Sequence, residues 1–315
     1  MKNTLKIKGY VYVILSAVIF GCMPLMATKI YEDGVNSLSL VLFRNLFSMP
    51  MLAVAALLTK KTLKIPVKAI PAVSLIGLLG CCATPLMLFA SYLYIPSGIA
   101  TVFHFVYPAI VLIINVIISK TVSKENVISV IICFAGICLF YNPNDPLDFT
   151  GAALALLSGV VYALYIVLLS RFKHKEISGF LFSFYISVTS SIVLLTVCLS
   201  LNKITLPATP SGWILTTFFA FIVNVGAVVL FQQGTALIGS QQSSILSTFE
   251  PITSVVIDAL IITGVFPSVP SLIGCVLVIL ASVLIVVFDI KNKKITVNEL
   301  DSVKILLPCF LYKRH

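Results

Sequence analysis

The stretch Ala100-Thr-Val-Phe-His-Phe-Val-Tyr-Pro-Ala-Ile110 places a histidine and, four residues later, a proline inside an otherwise apolar run. Proline lacks an amide hydrogen, so Pro108 cannot donate to the carbonyl of His104 in a helix. In water this run would combine a helix breaker with a titratable ring. In a membrane, unpaired backbone is tolerated only where it is buried in protein or faces water. The solvent around the stretch therefore decides the fold.

The composition of the chain indicates a bilayer. Of its 315 residues 59% are hydrophobic and 10% are charged, and the mean hydropathy is +1.12, which is far outside the range of soluble domains. Ten apolar segments approach or reach the length needed to cross a hydrocarbon core of ~30 Å. The predicted spans are residues 10–29, 38–59, 70–92, 97–118, 126–141, 151–170, 179–201, 212–236, 240–262 and 271–288. We therefore predict an all-α integral membrane protein with ten transmembrane helices.

The distribution of charge predicts the orientation of these spans. Most of the 21 Lys and Arg residues fall in the N-terminal segment 1–9, in the even-numbered loops and in the tail 289–315. Because Lys and Arg accumulate on the cytoplasmic side, both termini are predicted to be cytoplasmic and the linker 142–150 external. We expect a multi-pass protein of the plasma membrane. The net charge of +10 then reflects topology, and no nucleic-acid partner is predicted.

The eight cysteines do not indicate a metal or disulfide framework. Seven of them lie inside predicted spans and none shows metal-ligand spacing. We predict no metal and no cofactor.

An internal repeat divides the chain into two halves. A shift of 142 to 143 residues brings Gly9 onto Gly151 and aligns the fourth span with the ninth. The aligned pairs are Ser97 with Ser240, Thr101 with Ser244, His104 with Ser247, Tyr107 with Glu250, Pro108 with Pro251 and Asn115 with Asp258. Because each half has five spans, an odd number, the second half enters from the opposite side. The sequence thus predicts inverted repeats over 10–141 and 151–288, an architecture typical of secondary transporters.

The paired prolines Pro108 and Pro251 predict kinks in the fourth and ninth spans, which leave the carbonyls of His104 and Ser247 free. Polar side chains at helical spacing accompany both kinks, so we expect the two spans to line a central cavity. The candidate substrate-binding residues are Glu250, Arg44, His104, Tyr107, Ser247, Gln233, Tyr92 and Asp258, with Gln232 and Trp213 as further candidates.

Several of these residues have a structural alternative. Glu250 either binds substrate or a proton, or is structural, as an ion pair with Arg44 or as a hydrogen-bonded neutral acid. His104 either binds substrate or is a satisfied hydrogen-bonding group. Asp258 is either functional or simply hydrated near the outer end of its span.

A set of short motifs resembles one known family. These are Phe20-Gly21, Lys29, Gly34, Arg44, Tyr94-Ile-Pro-Ser-Gly98, Pro108, Phe134-Ala-Gly-Ile137 and Phe249-Glu-Pro251. In this order they resemble the drug/metabolite transporter superfamily, EamA type, and the resemblance covers about residues 10–140 and 151–288. It implies ten helices in two inverted repeats. The sequence departs from the family at 119–120 and 264–265, where Ser-Lys and Gly-Val replace the usual Gly-Glu.

The predicted function is secondary transport of a small organic solute, such as a metabolite, an amino-acid-like compound or a drug, by alternating access. No H-E-x-x-H, G-x-S-x-G or P-loop motif occurs, which argues against an enzyme or an ATP-driven pump. The alternatives are a membrane receptor or scaffold, or an intramembrane enzyme. The expected partners are the solute and the lipid bilayer. Proton or solute counter-transport and a homodimer stay open.

Reporter fusions test the predicted topology. Fusions at Lys61, Lys175 and Lys294 are expected to report the cytoplasm, and fusions at Asp33, Asp148 and Lys203 the exterior, because the positive residues stay inside. A reversal at any one of these six sites would contradict the ten-span topology.

Overall fold

The computed structural model describes residues 2–60, 62–120, 123–139, 148–172, 177–257 and 268–306, and within these ranges helices are the only regular secondary structure. The ten helix positions are α1 (Lys2–Gly21 and Met23–Glu32), α2 (Ser37–Lys60), α3 (Ile70–Gly77, Leu78–Ala83 and Thr84–Ser91), α4 (Ser97–His104 and Tyr107–Ser119), α5 (Lys124–Cys138), α6 (Phe149–Arg171), α7 (Gly179–Ser200), α8 (Pro210–Ala220, Phe221–Val228 and Val229–Ile238), α9 (Ser240–Leu246 and Phe249–Ile257) and α10 (Val269–Leu306).

The described helices confirm an all-α membrane protein. Eight of them are long and apolar enough to cross a bilayer. The other two predicted spans correspond to α5, which has 15 residues, and to α9, which consists of two short segments. The described part of each ends before the predicted limit of its span.

Both halves carry the same backbone irregularity in their third helix. Residues 78–83 of α3 and 221–228 of α8 form π-helical turns. Their first residues, Leu78 and Phe221, correspond under the shift that aligns the two halves. A π-helical turn inserts an extra residue into the helix and is frequent at functional sites. The repeat seen in the sequence is therefore also a repeat of backbone geometry.

Two equivalent glycines extend this correspondence to helix packing. Gly9 of α1 lies against residues 237–238 at the end of α8, and Gly151 of α6 lies against residues 94–95 after α3. The two contacted pairs are equivalent under the same shift. A Cβ at either glycine would overlap its neighbours, so both positions need the smallest residue. Each half thus inserts its first helix against the third helix of the other half.

The helix α2 packs extensively against α7, and other closely packed pairs are α1 with α8, α3 with α6, and α5 with α10. Two buried amides bridge these helices at the π-helical turns. The Asn224 side chain donates to the Arg44 carbonyl at 3.0 Å and to Ser48 Oγ at 3.1 Å. The Asn45 amide donates to the carbonyl of Cys81 at 3.0 Å. The Asn45 side chain thereby bonds a carbonyl inside one π-helical turn, and Asn224 of the other π-helical turn bonds α2.

The last helix continues beyond the span predicted for it. Backbone of α10 stays helical to Leu306, whereas the sequence placed the end of the span at residue 288. The added residues are rich in Lys, Asn, Asp and Glu, so this part suits water and not hydrocarbon.

At one face of the bundle, the loop after α1 and the loop between α7 and α8 are joined by hydrogen bonds. Asp33, after α1, accepts hydrogen bonds from the Thr209 hydroxyl at 2.6 Å and the Thr209 amide at 3.3 Å. Beside it the Asn36 amide group donates to the Lys203 carbonyl at 2.8 Å. We call the contact between Asp33 and Thr209 the loop clasp. The hydrogen bond from the Thr209 hydroxyl is the main cause that lowers the pKa of Asp33 below its ordinary value of 3.8.

The loop clasp predicts a pH-dependent contribution to stability. Because the pKa of Asp33 is lowered in the folded protein, its stabilising effect is present above pH 3.8 and is lost as the pH falls through the folded pKa. We expect Asp33→Asn to lower the melting temperature of the detergent-solubilised protein at pH 7 and to have a smaller effect as the pH falls through the folded pKa of Asp33.

Glu32→Gln is the matched control, since within the described ranges Glu32 forms an exposed pair with Lys29, and such pairs contribute little. Equal melting temperatures of wild type and Asp33→Asn at pH 7 would show that the loop clasp does not stabilise the fold.

Candidate functional site

The two proline-containing helices are interrupted at equivalent places. α4 ends at His104 and resumes at Tyr107, and α9 ends at Leu246 and resumes at Phe249. Pro108 and Pro251 thus lie in the first turn of the resumed helices, where a missing amide hydrogen costs no bond. The expectation of a free carbonyl at Ser247 is wrong, because it accepts the Glu250 amide at 3.0 Å. At this break the chain turns tightly enough for the Glu250 amide, three residues after Ser247, to donate in place of the amide hydrogen that Pro251 lacks.

Each interruption packs on a glycine of the opposite half. A Cβ at Gly159 of α6 would collide with the carbonyl oxygen of His104. A Cβ at Gly21 of α1 would lie 2.7 Å from the carbonyl oxygen of Glu250. Only glycine lets the backbones approach this closely. The two breaks are therefore held where the two halves of the protein meet.

A cavity of about 50 Å³ lies between the two breaks. We call it the central cavity. Its lining residues are Phe20, Met23, Arg44, Gly80, Cys81, Thr84, Pro85, Leu88, His104, Tyr162, Tyr165, Val228, Phe231 and Glu250. They come from seven helices of both halves. The volume suffices for a few water molecules, whereas ligand pockets usually measure ~300–1,000 Å³, so the site is closed in this conformation.

The two charged residues of the central cavity do not form an ion pair. Glu250 is 9% exposed and Arg44 3% exposed, yet no salt bridge joins them within the described residues. The Arg44 Nε atom has no hydrogen-bond partner in that part of the chain, and one terminal nitrogen lies 4.0 Å from Met23 Sδ. No described group donates a hydrogen bond to the Glu250 carboxylate either. Of the structural interpretations of Glu250 that the sequence left open, neither the ion pair with Arg44 nor a hydrogen bond to the carboxyl group is seen in the described part of the chain.

His104 is a satisfied hydrogen-bonding residue at the edge of the same cavity. Its Nδ1 lies 2.8 Å from the Ser158 hydroxyl, which itself donates to the Ala155 carbonyl. The Ser158 oxygen therefore accepts from His104, which places the ring hydrogen on Nδ1 and leaves Nε2 as an acceptor. The imidazole centroid lies 5.3 Å from the ring of Tyr162 and 5.4 Å from that of Tyr107. Aromatic side chains thus fix the imidazole on one wall of the cavity.

Tyr107 and Tyr92 lie close to Glu250 without lining the cavity. Tyr107 is fully buried and packs edge to face on Tyr162, with centroids 4.9 Å apart. Its hydroxyl approaches Ser247 but makes no hydrogen bond of normal geometry within the described residues. Both tyrosines are within electrostatic range of Glu250. They form a second layer behind the carboxylate.

The other candidates lie elsewhere. Ser247 donates to the Ser243 carbonyl of its own helix and does not face the cavity. Trp213 lies on an outer surface, 6.2 Å from the ring of Phe43. Asp258 is outside the described residues.

Gln233 lines a second cavity, of about 510 Å³. We call it the vestibule. Its lining residues are Leu5, Lys8, Tyr12, Thr59, Leu169, Phe172, Ile177, Ser178, Gly179, Phe180, Phe182, Gln232, Gln233, Ala236 and Leu237. It lies at the ends of α1, α2, α6, α7 and α8 that are predicted to be cytoplasmic.

Sequence reasoning missed most of the aromatic wall of the central cavity. Tyr162, Tyr165 and Phe231 stack on one another with centroids 5.5 to 6.2 Å apart. The sequence feature that could have indicated this wall is the spacing of Tyr162 and Tyr165, which lie one helical turn apart in the sixth span. Aromatic residues in a membrane span are more often lipid-facing or packed, so the signal was not specific.

The arrangement can bind a polar solute but shows no metal centre. A carboxylate, a guanidinium and aromatic rings face a common space, which suits charged and aromatic groups of a ligand. Within the described ranges, no group of three or more His, Cys, Asp or Glu residues is close enough to hold a metal ion.

Comparison with known proteins gives three findings. The chain matches the family model described as EamA-like transporter family over residues 7–142 and 149–287. It is 28% identical over 174 residues to an "Uncharacterized transporter YyaM" of Bacillus subtilis (strain 168), which covers 53% of this chain and 56% of that protein. The chain thus aligns with just over half the length of that curated relative. A solved crystal structure shares the fold, with a TM-score of 0.71 at 15% identity over 90% of this chain and 97% of that chain.

Glycine substitutions test the packing at the two breaks. We expect Gly159→Ala and Gly21→Ala to destabilise the protein by ~1–3 kcal/mol, because each new methyl group overlaps a backbone carbonyl at a break. Thermal unfolding in detergent measures the loss. Gly226→Ala is the matched control, since its nearest neighbour is Ile19 Cδ1 at 3.7 Å, an ordinary contact. Unchanged stability of Gly159→Ala and Gly21→Ala would contradict the close packing of the breaks.

Proposed function

Because this chain belongs to the EamA-like transporter family, we propose that it is a secondary transporter that moves a small organic solute across the membrane by alternating access. The two inverted halves would rock about the central cavity and expose it to one side of the membrane at a time. The broader statement, that the protein is a multi-pass membrane transporter, follows from the family and from the transporter relative.

The observation that carries the proposal is the unpaired carboxylate of Glu250 in the central cavity. A charge at the centre of a membrane helix costs ~2.5–3.5 kcal/mol on insertion scales and is normally paired. The Glu250 carboxylate has no ion pair or hydrogen bond within the described residues, and the residue is 9% exposed. A residue that contributed only to stability would be expected to have its partner in the folded chain. A transported cation or a proton could instead be the partner of the Glu250 carboxylate, since it enters the cavity from solution.

The opposite charge in the same cavity supports an amino-acid-like solute. The guanidinium of Arg44 offers donors that match a carboxylate, and its Nε is unpaired within the described residues. Glu250 would bind the ammonium group of such a solute, and the rings of Tyr162, Tyr165 and Phe231 would contact its side chain or its cation. A lipophilic solute would use the aromatic wall alone and would not require both charges.

The driving force follows from the same chemistry. If Glu250 exchanges a proton for the cationic group of the solute, uptake or export is coupled to proton movement. If two solutes compete for the site in turn, the protein works as an exchanger. Both schemes require Glu250 to be neutralised before the cavity closes.

The alternatives predict different behaviour. A receptor or scaffold would bind its ligand without moving it, and an intramembrane enzyme would convert it. Purified protein in sealed vesicles therefore separates the three functions by the fate of the solute, which is transferred, only bound, or chemically changed.

Substitution of Glu250 tests the proposed site. Standard amino acids are first screened by thermal shift, because a ligand of the folded state raises the melting temperature. In vesicles we expect Glu250→Gln to slow transport of the stabilising solute by about tenfold or more, the effect of losing ~1.4 kcal/mol of binding. Its dependence on pH between 5 and 8 should also flatten, since glutamine cannot ionise.

Glu32→Gln, which removes an exposed carboxylate, is expected to leave transport unchanged. Wild-type rates and a wild-type pH profile in well-folded Glu250→Gln would remove Glu250 from the mechanism. Loss of transport in a well-folded Arg44→Gln variant would indicate that Arg44 also binds the solute.

A further inference from the structure

We infer that a hydrogen-bonded chain of three side chains, Tyr165, Gln232 and Ser183, is the gate between the central cavity and the vestibule. The vestibule is then the entry site of the solute at the membrane face where α1 begins. This inference rests on the proposed transport function. It assigns a role to Gln232, which the site described above does not use.

The two cavities lie on consecutive turns of the same helices. Tyr165 and Phe231 line the central cavity. Leu169, one turn further along α6, and Gln232, the next residue of α8, line the vestibule. Tyr165 at the smaller cavity is hydrogen-bonded to Gln232 at the larger one, so two side chains in contact separate a space of about 50 Å³ from one of about 510 Å³.

Hydrogen bonds hold this wall together. The Gln232 side chain is 3% exposed and uses both ends of its amide. Its oxygen accepts from the Ser183 hydroxyl at 2.5 Å, and its nitrogen donates to the Tyr165 hydroxyl at 3.4 Å. The three residues belong to α6, α7 and α8. Water can replace such bonds when the helices separate, so a polar wall opens more readily than an apolar one.

The opposite face of the membrane is closed in a different way. Gln232 corresponds to Phe89 under the repeat shift. Phe89 is fully buried and packs against Tyr92 and Phe219 at centroid distances of 5.9 and 6.1 Å. The loop clasp of Asp33 and Thr209 lies further out on this side. The face with Asp33 is thus sealed by aromatic packing and loop contacts, whereas the face with Lys8 has the polar gate and the vestibule.

The vestibule has the size and lining of a solute site. Its volume lies within the usual range for ligand pockets. Lys8 and the amide of Gln233 supply polar groups at its edge, and Phe172, Phe180 and Phe182 supply an apolar floor. A solute held there would meet Gln232 next on its way to Glu250.

Accessibility of Cys81 tests the gate without any solute. Cys81 lines the central cavity and is 2% exposed. In a variant that retains Cys81 and lacks the other seven cysteines, its modification by the impermeant anion 2-sulfonatoethyl methanethiosulfonate is followed in vesicles of both orientations. We expect Ser183→Ala and Tyr165→Phe each to raise the rate about fivefold from the face with Lys8, the shift caused by losing one hydrogen bond.

Ser190→Ala is the matched control, because Ser190 is also buried on α7 but donates to the Gly77 carbonyl, away from the gate. An unchanged rate in both gate variants would overturn the inference. So would an equal increase from both faces, or an equal increase in Ser190→Ala, since these indicate general loosening. The readout is independent of transport, so failure of the Glu250 test and failure of the gate can be told apart.

Discussion

The bilayer requires the protein itself to satisfy every backbone polar group, and the interior of this bundle follows from that constraint. At the centre of the membrane the regular helix is lost at the breaks of α4 and α9 and at the π-helical turns of α3 and α8. Glycines of the opposite half approach the breaks, and the amides of Asn45 and Asn224 bond the backbone near the π-helical turns. The irregular backbone can exist only where the two halves meet, so the cavity forms there.

The features that depend on composition along the chain could be predicted from the sequence. The lengths of the apolar segments predicted the spans, and the shift between the two repeats aligned Pro108 with Pro251. The direction of single side chains could not be predicted. Gln232 and Gln233 are adjacent and both line the vestibule, but the Gln232 side chain also hydrogen-bonds Ser183 and Tyr165. Which of them faces a neighbouring helix depends on the rotation of α8, and the π-helical turn shifts that rotation by an extra residue. No local pattern in the sequence marks such a turn.

The two halves share their backbone geometry but differ in the side chains they place on it. Cys81 and Asn224 are equivalent, as are Phe89 and Gln232, and in each pair only one member is an amide. An exact repeat would give an inward-closed and an outward-closed state of equal energy. Because the two halves carry different residues at these equivalent positions, the closure at one membrane face differs chemically from the closure at the other. The relative stability of the two states is therefore set by a few residues and can change without any change of fold.

The closed cavity also limits when the halves can rock. The Glu250 carboxylate has no partner among the described residues, and a cavity of about 50 Å³ holds too little water to solvate an ion as bulk water does. Closing both faces around an ionised Glu250 therefore costs free energy, and closing them around a protonated or cation-bound Glu250 avoids most of that cost. On the proposed mechanism, the empty and ionised transporter is held with one face open. Movement between the two open states is then confined to the loaded protein, and this restriction is what couples one solute to another or to a proton.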